Sequence, residues 1–146
     1  MSISTRIKLK RYRFLKIRIA GLEADIKELE DMAGSVKGVS YGERLASNRS
    51  QEAPFEELVF RIQEKEKTKQ KLRLELLREA DEVEAVIAAI EDERVKAIFE
   101  YHYLRAWTFE AIAREMSYSV ERIYQLHREE IRRLEEESEE EDEQIH

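Results

Sequence analysis

Along the first part of the chain, apolar residues recur at alternating steps of three and four: Tyr12, Leu15, Ile19, Leu22, Ile26, Leu29 and Ala33. That spacing puts them on one stripe of an α-helix and matches a heptad seam, predicting a first helix from about Ser4 to Met32. A second set, Ile3, Ile7, Phe14, Ile17 and Ala24, lies on a different face. Its bulky members are all N-terminal, so that half of the helix needs cover on two sides, either from the C-terminal region or from a second subunit. From Phe55 a further heptad begins, with Ile62, Leu76, Val83 and Ile90 at multiples of seven and Leu58, Leu72, Val86 and Ile87 at the second seam position. Lys69, and Lys65 or Glu66, interrupt it and weaken the seam in the middle. The second helix is expected to start near Pro54, whose missing amide hydrogen suits a first turn, with Glu56 and Glu57 at the positive end of its dipole.

Between the two lies Gly34 to Pro54, with three of the four glycines and the only proline and no sustained period. It reads as a loop of about twenty residues, a length that suits the tip of a projecting hairpin better than the inside of a compact domain. Helices joined by one loop pair antiparallel, so residues 1–91 are expected to form a helical hairpin, each arm about 40 to 55 Å long at 1.5 Å per residue. The same heptads would also serve an intermolecular coiled coil.

After Asp92, a suitable N-cap, Val95, Ile98, Phe99 and His102 or Tyr103 predict a short amphipathic helix ending near Arg105. Two further amphipathic runs follow, broken at Ser117-Tyr118-Ser119. Ile112 and Met116 supply the buried face of the first, Ile123 and Leu126 that of the second. Ala113 is small where the two approach, and Tyr118 fills the apolar position of the turn. Thr108 and Ser119 can cap the two helices, Ser119 through the amides of Glu121 or Arg122. This is the pattern of a helix-turn-helix unit over residues 92–135. Glycine often stands where this chain has Ser117, so a left-handed conformation there would carry strain. The fold class expected is therefore all-α: a long antiparallel helical, coiled-coil hairpin followed by a small C-terminal helix-turn-helix domain.

Composition agrees, with 40% charged residues and 8% aromatics. Cysteine is absent, which rules out disulfides and thiolate metal sites and is compatible with a reducing compartment. No window approaches a membrane span, so no membrane partner is expected and a cytoplasmic location follows. The net charge of −7 would argue against nucleic acid. However, eight acidic side chains lie between Glu135 and Glu143, and −7 without those eight is +1. Seven basic residues and no acidic one lie between Arg6 and Arg18. Local charge therefore matters more than the isoelectric point. The tail 136–146, with like charges four apart, is expected to be disordered, either a solvated end or a screen for a basic surface.

The order T-F-E-x-I-A from Thr108 to Ala113, S-x-E-R-I-x-Q from Ser119 to Gln125 and I-R-R-L from Ile131 to Leu134 resembles conserved region four of bacterial sigma factors. The wider arrangement, a basic first helix, a Gly-containing loop, a long charged helix and then Y-H-Y-L-R-A-W-T-F-E-A-I-A, is similar to phage-encoded regulators of the ArpU and RinA kind. The resemblance implies a transcriptional regulator acting on late genes of phages or prophages. Such a protein would be nucleoid-associated in a bacterial host, with double-stranded DNA as partner, RNA polymerase as a further one, and a homo-oligomer, a dimer, as its state.

By the sigma resemblance, Glu121 and Gln125 stand at base-contacting positions. Glu can accept from the cytosine amino group and Gln can pair with adenine in the major groove. Tyr124 and Arg128 share that face. Val120 also falls at a base-reading position, but it departs from the family, which usually has a basic residue there, so the sequence preference should differ. Arg105, Arg114, Ser119, Arg122, Arg132 and Arg133 are candidate phosphate ligands, with Lys8, Lys10, Arg11 and Arg13 as accessory ones. Each has a plainer reading: Glu121 suits a helix N-terminus, Trp107 and Tyr118 suit packing, and the bases of Arg6 to Arg18 suit a solvated face.

His102, His127 and His146 are far apart and lack HExxH or Cys partners, so neither a metal nor a cofactor is expected. No carboxylate pair sits in a perturbing pattern, and no enzyme is expected. Two other functions compete with regulation: a small terminase subunit recognising viral DNA for packaging, and a coiled-coil adaptor protein.

Overall fold

The computed structural model describes residues 3–37 and 41–145, with side chains described for 3–35 and 54–141. Among the described residues the chain is all helix, without a strand: α1 (Thr5–Lys37), α2 (Tyr41–Ala88), α3 (Glu93–Phe99), a π-helical turn (Glu100–Leu104), α4 (Phe109–Met116) and α5 (Val120–Ile145). None of the described helices is long and apolar enough to cross a membrane.

The chain divides into two compact units, Met1–Ile17 with Glu75–His146, and Arg18–Leu74. In the first, Leu9 and Tyr12 of α1 and Val83, Ile87 and Ile90 join Ile98, Phe99, Tyr103, Ile112 and Ile123 in one core. Burying each such side chain stabilises by about 1.5–3 kcal/mol, which is why the start of α1 and the end of α2 belong with the C-terminal helices. The division expected after residue 91 therefore differs from the one observed. At the core's edge Lys8 pairs with Glu82 and Arg11 with Glu79, so partners step back along α2 as α1 advances. Asp92 opens α3, its side chain accepting the Arg94 amide hydrogen at 2.9 Å.

In the second unit Ile19, Ile26 and Leu72 are buried. The lysines that break the heptad find carboxylates: Lys65 pairs with Asp25 at 3.4 Å and Lys69 with Glu66 at 3.3 Å. Among the described residues the N-terminal apolar stripe of α1 stays uncovered, with Ile7 50% and Phe14 58% exposed and Ile3 and Ile17 also exposed.

Two segments depart from the sequence expectation. The loop expected over Gly34 to Pro54 is helical at both ends, α1 running to Lys37 and α2 starting at Tyr41, with Pro54 inside α2; residues 38–40 lie outside the described residues. The tail, expected to be disordered, continues α5 to Ile145. Arg133, paired with both Glu130 and Glu137, relieves part of the like-charge repulsion at its start.

Candidate nucleic-acid interface

α4 and α5 meet through a tight turn held by backbone hydrogen bonds and two side-chain caps. Thr108, extended at φ −74°, ψ 157°, caps α4 by accepting the Ala111 amide hydrogen at 3.1 Å. Ser117 is left-handed at φ 57°, ψ 40°, and its N–H donates to Arg114 O at 3.4 Å. The Tyr118 N–H donates to Ala113 O at 3.0 Å, and Ser119 caps α5 by accepting the Arg122 amide hydrogen at 3.1 Å. Ile112 and Ile123 are fully buried beneath the turn, and Tyr118 is packed half-buried against the same core. Asp92, and after it Tyr118, raise the proton affinity of the exposed Arg94 guanidinium.

Beneath α5 the aromatic residues stack. His102 lies on Phe109 with ring centroids 3.9 Å apart and 17° between planes, and His127 lies on Phe99 at 5.1 Å. The Trp107 carbonyl can only accept, so the 2.8 Å contact to His102 Nδ1 marks that nitrogen as protonated. Burial pushes His102 down to about 4. Burial, then the neighbouring His102 and the charges of Arg6 and Lys10, push His127 down to about 4 as well. Tyr103 shares a 2.6 Å hydrogen bond with His127 Nε2, and its hydroxyl is pushed well above the ordinary tyrosine range by burial. The two histidines, far apart in sequence, thus come to 5.7 Å between ring centroids. Among the described residues no group of three or more His, Asp or Glu side chains could hold a metal ion.

Arg13 crosses from α1 to this cluster, its Nε donating to His102 O at 3.1 Å and its Nη2 to Trp107 O at 3.4 Å. Arg13 thus braces α1 against the π-helical turn and the bend that follows it. It was not legible in the sequence because the carbonyls it meets belong to a π-helical turn and to the bend after it, where Ala106 has φ 60°. Lys8 and Arg11, in their ion pairs with α2, are likewise engaged, whereas Lys10 has no carboxylate partner among the described residues.

The residues singled out for base contact fall on the outer side of α5. Glu121, Gln125 and Arg128 are exposed, as is Arg132, and steps of four, three and four put all four on one face. Tyr124 is 41% exposed beside them, its ring against Phe109 at 5.0 Å and its hydroxyl donating to Glu110 Oε1 at 3.3 Å. Val120 is the exception, half-buried against the core rather than free at the surface. Gln125 is held from both sides: Arg122 Nη1 donates to its Oε1 at 3.1 Å, and its Nε2 donates to Glu129 Oε1 at 3.3 Å. These bonds are solvent-exposed, so a base edge can replace them at small net cost. Of the candidate phosphate ligands, Arg114 and Arg132 are exposed, Arg105 lies 5.3 Å from the Tyr101 ring centre, and Arg122 serves Gln125. Ser119 serves the cap, and Arg133 is engaged by Glu130 and Glu137, which raise its affinity for the proton further.

No family model, no curated protein and no solved structure matches this chain.

Proposed function

We propose that this protein is a sequence-specific DNA-binding transcriptional regulator, phage or prophage encoded and acting on late genes. The observation that carries the reading is the outer face of α5. Glu121, Tyr124, Gln125 and Arg128 project from a helix whose opposite face is buried through Ile123 and Leu126, and whose start is fixed by the Ser119 cap. We take α4, the turn and α5 as a helix-turn-helix with α5 entering the major groove, where such side chains read base edges. The resemblance of S-x-E-R-I-x-Q to sigma region four supports the same assignment.

In this reading α1 and α2 pair as an antiparallel coiled-coil hairpin, and within the first unit the antiparallel register of Lys8 with Glu82 and Arg11 with Glu79 supports it. The partners are double-stranded DNA, RNA polymerase and a second copy of the chain. The uncovered stripe of Ile3, Ile7, Phe14 and Ile17 favours a protein partner on α1.

The test is to incubate the purified protein with sheared DNA from a bacterial host and its resident prophages, recover the bound fragments and sequence them. Enrichment upstream of a late or lysis gene block is the expected result. Enrichment at a packaging-start region would mean a terminase role instead, and no enrichment at low salt would mean an adaptor.

A further inference from the structure

The bases of α1 are sorted by what faces them. Lys8 and Arg11 are neutralised by Glu82 and Glu79, and Arg13 is consumed by two carbonyls. Arg6 and Lys10 turn instead toward α5. With Arg128 and Arg132 they line a groove of about 450 Å³ over Tyr103 and His127. Among the described residues none of these four side chains has an ion pair. Burial first, then His102, and last the charges of Arg6 and Lys10, lower the proton affinity of His127 at the floor of this groove.

We propose that this groove is a second binding site for the sugar-phosphate backbone of duplex DNA, in which α1 supplies Arg6 and Lys10 beside Arg128 and Arg132 of α5. The proposal rests on the DNA-binding reading above. Three points favour a nucleic-acid backbone as the occupant. The four cations come from two helices more than a hundred residues apart in sequence, so no local helix-surface pattern accounts for their convergence. Arg128 and Arg132 continue the stripe that begins at Glu121 and Gln125. Gln125 and Arg132 are about 10 Å apart along the axis, well inside one turn of duplex at about 34 Å, so DNA lying against that face reaches the groove. The groove also has a defined end. Glu135, which also lines the groove, accepts the Arg6 amide hydrogen at 2.7 Å, and with Glu139 it borders the adjoining pocket of Ser4, Arg6, Ile7 and Lys10, so these carboxylates mark the end that a negative backbone avoids.

The experiment uses the full chain and a duplex of random sequence, and reads the slope of log affinity against log salt. The double variant Arg6→Gln with Lys10→Gln should lower the magnitude of the slope by about 2, one phosphate contact per cation. That changes the affinity ratio between 50 and 200 mM salt by roughly tenfold. Lys8→Gln, which removes a charge already paired with Glu82, should leave the slope where it was. Unchanged helix content by circular dichroism guards against a folding artefact. A double variant with the wild-type slope overturns this inference and leaves the DNA-binding reading standing, whereas a wild-type chain that binds no duplex at low salt overturns both.

Discussion

The Tyr103 hydroxyl and His127 Nε2 share a 2.6 Å hydrogen bond inside an aromatic cluster, joining the π-helical turn to the middle of α5. The pair has a consequence for stability against pH. Both His127 and His102 are held at about 4, below the ordinary 6.5, so the folded chain keeps them neutral while the unfolded chain protonates them between those limits. The unfolded state then binds more protons, and stability must fall as pH is lowered from about 6.5 to 4, by at most roughly 3 kcal/mol per ring. Urea unfolding midpoints at pH 7.5 and 5.0 measure it. A midpoint equal at both values, or higher at pH 5.0, would contradict the burial described.

Ser117 is left-handed without being glycine. Ser117→Gly should stabilise the chain by up to about 1 kcal/mol, while Ser117→Val should destabilise it by about 1–3 kcal/mol. Denaturant midpoints of the two variants read the opposite signs.

Two arginines two residues apart should behave differently. Arg13→Ala strips the His102 and Trp107 carbonyls of a charged donor and should cost about 1–3 kcal/mol. Arg11→Ala removes an exposed ion pair with Glu79 and should cost about 0.2–1 kcal/mol. Comparable losses by thermal or chemical unfolding would remove Arg13 from its bracing role.

The caps give a second check on the folded turn. Thr108→Ala and Ser119→Ala each leave an amide at a helix start without its side-chain partner and should each cost about 1 kcal/mol in the same unfolding assay. Retention of full stability in both would count against the turn geometry.

The all-helical fold and the caps of its three C-terminal α-helices were readable in the chain because they follow from local rules: seam spacing, a short polar side chain at Asp92, Thr108 and Ser119, and a left-handed stop at Ser117. Punctuation by Gly and Pro misled over residues 34–54, where α1 runs on to Lys37 and α2 carries Pro54 inside it. Like-charge repulsion misled over the tail, because Arg133 offsets part of it through Glu130 and Glu137. At the candidate site, exposure of Glu121, Gln125 and Arg128 followed from helical spacing, whereas the burial of Val120 depended on tertiary contact with the core. The roles of Arg13 and of the Tyr103 and His127 pair depend on a π-helical turn, for which no periodic signal exists in the sequence. The sorting of the α1 bases needed the positions of Glu79 and Glu82, some seventy residues away.

The central claim is that the outer face of α5 reads bases. Its most direct test is the affinity of Gln125→Ala for a captured high-affinity site and for a scrambled duplex, at one salt concentration. The account predicts a loss of about 1–3 kcal/mol on the captured site and little change on the scrambled one. Equal loss on both, or loss on neither, would contradict it.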